Sequence, residues 1–211
     1  MILKHLCFQL DELAVTDFFS PIRDKRKLIE TLIRAVKYML INPVVENADV
    51  KGEMCLYIDK MSRLFFFSES KFFSFNFPFQ VCNSEDGVVF YSKHVDDLNS
   101  RVTSQILNIV CSDEIYDASC VFEFSDKFLD AVEYSEELWR QFIDLLKYED
   151  GYIRFDHDPD NENGNLHPLN HLDVFYSNVA TFKLGINSKF SKSDLIDLVN
   201  INTPCSFLAQ A

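Results

Sequence analysis

Residues 152–185 read YIRFDHDPDNENGNLHPLNHLDVFYSNVATFKLG, and the fold turns on how this stretch is parsed. Residues 152–155 are aromatic and β-branched around Arg154, which suits a strand. Residues 156–169 are acidic and rich in Asn, Gly and Pro, the composition of a loop. Residues 172–176 and 180–184 return to strand character, with Ser177-Asn178 as the connection. The stretch therefore predicts strand, loop, strand, strand.

Working outward, Glu149-Asp150-Gly151 ends a helical run that passes through Trp139, Phe142, Ile143, Leu145 and Leu146. That run opens near Ser125 and Asp126 and has a break near Ser135. Upstream of it, residues 120–124 read as a short strand. Residues 95–110 carry apolar groups at helical spacing, though β-branching leaves strand open. Val88 to Tyr91 follows the turn Glu85-Asp86-Gly87 as a strand. In residues 72–79, Phe73, Phe75, Phe77 and Phe79 alternate, so they share one strand face, either as core or as an exposed interface or stacking platform. Pro78 makes this an edge strand or a strand end. Residues 54–67 read as a hairpin around residues 59–62. Residues 25–41 form an amphipathic helix capped by Asp24 and stopped by Asn42-Pro43. Residues 1–20 read as a helix ending at Ser20-Pro21. Residues 191–200 read as a closing helix capped by Ser191 or Ser193. The order gives an α+β fold, a mainly antiparallel sheet flanked by helices in a single domain over residues 1–211.

Composition narrows the functions. Glycine is scarce, at 5, and no glycine-rich phosphate loop or nucleophile elbow is present. The net charge of −13 disfavours general nucleic-acid binding. Residues 1–50 balance seven bases against seven acids, whereas residues 135–176 set ten acids against Arg140, Lys147 and Arg154. A basic protein partner or a cation suits the second region. Nucleic acid would need the local patch of Arg23, Lys25, Arg26, Lys27, Arg34 and Lys37, or a metal. The ordinary reading of that patch is a solvated helix face. The six cysteines include no C-x-x-C pair and read as reduced, mostly buried thiols in a cytoplasmic protein. The start, MILKHLCFQLDEL, meets charge early, so no signal peptide is expected. No apolar run is long enough to span a membrane. A homo-oligomer stays open.

The chemistry concentrates in residues 152–173. Asp156, Asp158 and Asp160 begin like a calcium loop, but Asn161 and His167 stand where that loop needs Gly and Glu. A divalent metal remains open, with His157, His167, His171 and Asp173 as candidate ligands of the right chemical type. A metal-free alternative uses Arg154 and Asp156 on one strand face beside the histidines, as acid, base and anion stabiliser. The ordinary alternative is a solvated acidic loop with fold-closing hydrogen bonds. The candidate catalytic set is Arg154, Asp156, His157, His167, His171 and Asp173.

The strings YEDGYIRFDHDP and HPLNHLDVFYSNVATFKLG resemble the signature of a bacterial domain-of-unknown-function family, DUF 2290. The resemblance implies a cytoplasmic bacterial protein of the kind found in mobile or defence-type gene clusters, with no activity to carry over. More loosely, Arg154, Asp156, His167, Pro168 and His171 are similar to a pattern in the TumE-type toxin family of proposed ribonucleases. Here the loop is longer, and Asp173 stands where that pattern has a further histidine. Two functions follow as expectations: an interaction component of a defence or toxin–antitoxin-like module, or a small nuclease or phosphodiesterase built on the Arg/Asp/His cluster.

Overall fold

The computed structural model describes residues 5–58, 61–84, 87–131, 135–176 and 182–207. In chain order the elements are β1 (His5–Leu10), α1 (Glu12–Phe18), α2 (Lys25–Ile41), β2 (Gly52–Ile58), β3 (Ser62–Phe67), β4 (Lys71–Asn76), β5 (Gln80–Ser84) and β6 (Gly87–Tyr91). Then come α3 (Ser100–Val110), α4 (Asp113–Tyr116), α5 (Val121–Ala131), α6 (Glu136–Lys147), β7 (Ile153–His157), β8 (Asn170–Val174), β9 (Phe182–Gly185) and α7 (Lys192–Val199). The class is α+β with an antiparallel sheet, as the sequence predicts. The contacts gather into two compact units, one of Met1–Pro21, Val44–Phe77 and Asp150–Ala211, the other of Ile22–Pro43 and Pro78–Glu149.

The first unit is a seven-stranded antiparallel sheet in the order β1-β2-β3-β4-β7-β8-β9. Side chains alternate between its faces. One face carries Met54, Leu56, Leu64, Phe66, Phe73 and Phe75 and receives Phe18 of α1, whose ring lies 5.2 Å from Phe66. The other carries Phe65, Phe67, Phe72, Phe155 and Leu172 and is covered by Leu195 of α7. These are called the α1 face and the α7 face below. Ser191 caps α7 through a reciprocal box with Asp194.

The phenylalanine run is core. Phe73, Phe75, Phe77 and Phe79 are all at most 3% exposed, so they offer neither an exposed interface nor a stacking platform. Strand β4 lies in the middle of the sheet and simply ends before Pro78.

Three local expectations are corrected. Residues 5–10 are a strand, not the start of a helix; His5, Cys7 and Gln9 point out while Leu6, Phe8 and Leu10 are covered, and only a paired strand meets that period of two. The helix begins afterwards, on the Asp11 cap. Residues 121–124 are the first turn of a helix rather than a short strand, and the helix runs on to Ala131 as expected from residue 125, because Phe124 and Phe128 stand four apart and both pack on Trp139 and Phe142. Cys7 and Cys55, opposite each other on β1 and β2, form a disulfide, and the other four cysteines are exposed rather than buried. The tips at residues 59–60 and 85–86, and the Ser177-Asn178 connection, lie outside the described residues.

The second unit packs α2 with α3, α6 and β6 around Leu28, Leu32, Val36, Phe90, Ile106 and Phe142. Asp24 caps α2, which ends at Asn42 in the left-handed conformation. The cations at the start of α2 are engaged within this unit. Arg26 pairs with Asp113 at 2.7 Å and stacks on Tyr116, Lys27 and Arg34 both meet Glu30, and Lys37 reaches Ser104. Among the described residues, no helix is long and apolar enough to cross a membrane.

Candidate functional site

The site follows from register. On β7, Arg154 and Asp156 are two apart and share the α1 face; on β8, His171 and Asp173 do the same. The pairing sets Arg154 opposite Asp173 and Asp156 opposite His171. Four of the candidate residues thus form a two-by-two block. Neighbouring strands extend it, with Phe73 and Lys71 of β4 opposite Arg154 and Asp156, and Gly185 and Lys183 of β9 opposite His171 and Asp173.

His157 does not join the block. One step further along β7 it turns to the α7 face, where its Nδ1 lies 2.8 Å from Asn170 Oδ1. That removes it from both the candidate catalytic set and the candidate ligand set. His167 does join. The loop is ordered by a bridge between Asn163 and His167 and by Gly164 at φ 48°, so it folds back as a tight turn. The His167 ring then meets the His171 ring edge-on, with centroids 4.6 Å apart. Its Nε2 is 3.9 Å from Asp158 Oδ2, and its buried Nδ1 has no hydrogen-bond partner. Gly185 leaves close room beside it, since a Cβ there would come within 3.1 Å of Pro168.

Charge is concentrated and covered. Asp156, His171 and Asp173 are 7%, 1% and 3% exposed. Arg154 bridges the acids, its Nε donating to Asp156 Oδ2 at 2.6 Å and its Nη2 to Asp173 Oδ2. Burial opposes the guanidinium charge, but Asp156, Tyr152 and Asp173 more than offset it and raise its pKa above the ordinary value. The remaining oxygens, Asp156 Oδ1 and Asp173 Oδ1, are buried without a hydrogen bond. Lys71 Nζ stands 3.9 Å from Asp156 Oδ1.

His171 has a fixed tautomer. Its Nδ1 lies 2.9 Å from the Pro168 carbonyl, which can only accept, so Nδ1 carries the proton. Its Nε2 faces Asp156 Oδ2 at 3.7 Å. Asp156, His171 and Asp173 each offer one ligand atom, all within 4.8 Å of one another. An imidazole that donates its other nitrogen to a carbonyl is the usual form of a metal-ligating histidine.

Sequence reasoning missed Tyr152, Lys71 and Lys183. Tyr152 lies on the same strand face as Arg154, and burial pushes its phenol up to about 12 against the pull of that cation. Asp158, at the rim, has its carboxyl held below the ordinary range; burial opposes this, but hydrogen bonds from Asn161 and the nearby His167 and His171 prevail. Phe175, just past Asp173, is 65% exposed and holds a left-handed backbone at φ 68°. No family model, curated protein or solved structure matches the chain.

Proposed function

We propose that this chain is a cation-assisted phosphodiesterase centred on the block between β7 and β8. One observation carries the reading: a surplus of buried acceptors. His171 gives Nδ1–H to Pro168 and turns Nε2 toward Asp156, beside two carboxylate oxygens with no hydrogen bond. Buried carboxylate oxygens left without a hydrogen bond are costly unless something coordinates them. A divalent cation held by Asp156, His171 and Asp173 answers the surplus, and would supply an acidified water and a neutralised phosphoryl oxygen.

The chain's own groups have distinct roles in this reading. Arg154 stays charged at any working pH and opposes negative charge developing on the phosphoryl group. Asp156 and Asp173 hold the cation and orient Arg154. His167, nearer the surface than His171, exchanges the proton. A water oxygen bonds to phosphorus, the bond from phosphorus to the leaving oxygen breaks, and the water's proton reaches that oxygen through His167.

The test is hydrolysis of bis-p-nitrophenyl phosphate by the Mn²⁺-loaded protein. Turnover that depends on Mn²⁺ and falls about 100-fold in Asp173→Asn supports the reading. Absence of turnover, or an unchanged Asp173→Asn, overturns it.

A second reading has its own observation. Asp160, Glu162 and Leu166 stand exposed at the tip of the loop. An acidic tip with an apolar residue suits a basic protein partner, as in a non-catalytic component of a cytoplasmic bacterial defence or toxin–antitoxin-like module. It is favoured if Asp160→Lys with Glu162→Lys abolishes partner capture in cells while Asp173→Asn leaves function intact.

A further inference from the structure

We infer that Lys71 and Lys183 form the two sides of a clamp for the substrate's phosphate, across the block that Arg154 and the two aspartates build. The inference rests on the phosphodiesterase reading and names how its substrate is held. In a sheet, residues directly opposite on adjacent strands point to the same face. Lys71 is opposite Asp156 on one side, and Lys183 is opposite Asp173 on the other. The two lysines therefore flank the acids from β4 and β9.

Neither lysine is used up by its neighbour. Lys71 stops 3.9 Å from Asp156 Oδ1, beyond hydrogen-bonding distance, and that oxygen stays without a hydrogen bond. Lys183 is exposed and makes no ion pair with any described residue, although Asp173 stands opposite. These ammonium groups remain available to an anion at the face.

Charge supports the same ligand. Counting Asp158 at the rim, three acids here meet three cations, so the block is neutral in a chain of net charge −13. A bound divalent cation makes it locally positive. Such an island attracts a phosphate and sets it against Arg154, while the surrounding acids repel long polyanions. The substrate class is accordingly a small or single phosphodiester, in preference to a long duplex. The lysines are positioning residues: they touch the non-reacting oxygens.

The experiment is calorimetric titration of inorganic phosphate into the full chain, with and without saturating Mn²⁺. Wild type should bind phosphate, and Lys183→Gln and Lys71→Gln should each raise its Kd about tenfold, one lost charge contact. Mn²⁺ affinity should not fall in either variant. Lys189→Gln, an exposed lysine outside the block, controls for overall charge and should bind phosphate as wild type does. Equal phosphate affinity in wild type and the two clamp variants overturns the clamp. Mn²⁺ binding without any phosphate binding also overturns it and leaves the cation reading standing. Lysine-dependent phosphate binding without Mn²⁺ binding keeps the clamp and removes the cation.

Discussion

Arg63 and Arg154 lie on opposite faces of the same sheet, and their partners differ in kind. Arg63, on the α7 face, donates to Ser74 Oγ at 2.9 Å, Asn76 Oδ1 at 2.7 Å and the Gly151 carbonyl at 2.6 Å. All three acceptors are neutral. Gly151, at φ 53°, also makes room, since a Cβ there would stand 3.2 Å from the guanidinium. Arg154, on the α1 face, meets two buried carboxylates whose second oxygens have no hydrogen bond. One arginine closes the fold through three hydrogen bonds to neutral acceptors. The other sits in an excess of acceptors beside a histidine of fixed tautomer. Satisfaction distinguishes a structural arginine from one in a site, and burial does not.

The largest effect that sharpens this contrast is on stability. Arg63→Ala strands three acceptors and should cost about 3–4 kcal/mol, read by urea denaturation, with no change in Mn²⁺ affinity. A loss of metal binding in that variant would mean that the two arginines are not separable.

A smaller effect is confined to high pH. The Tyr152 phenol is held up to about 12, mainly by burial and against Arg154. Because the folded value exceeds the unfolded one, near 10, its stabilising contribution is complete below pH 10. It is lost as pH rises from there to about 12, by roughly 3 kcal/mol. Tyr152→Phe should show a shallower loss of stability over that window than wild type. Parallel curves would mean that burial does not hold the Tyr152 phenol above its ordinary value.

Much of the site was legible in the sequence. Period two in IRFD and HLDV puts Arg154 with Asp156, and His171 with Asp173, and the strand–loop–strand parse makes them neighbours. The same parity excludes His157, which sequence proximity had grouped with them. Lys71 was not legible, because residues 78–149 separate β4 from β7, and only the pairing of those strands brings it alongside. The disulfide is hidden for a similar reason: Cys7 and Cys55 are 48 residues apart, on two strands of which the first reads as helix in the sequence. Its presence also removes one ground for expecting a reducing, cytoplasmic setting. In residues 120–124 the aromatic residues suggest strand by composition, while the four-residue spacing of Phe124 and Phe128 joins them to the helix expected from Ser125.

The most direct test of the central claim is Mn²⁺ titration, by calorimetry or by electron paramagnetic resonance, of wild type, His171→Ala, Asp173→Asn and His157→Ala. Wild type should show one site, lost in His171→Ala and Asp173→Asn and kept in His157→Ala, whose side chain faces the other way. No binding in wild type, or binding that survives His171→Ala and Asp173→Asn together, would contradict it.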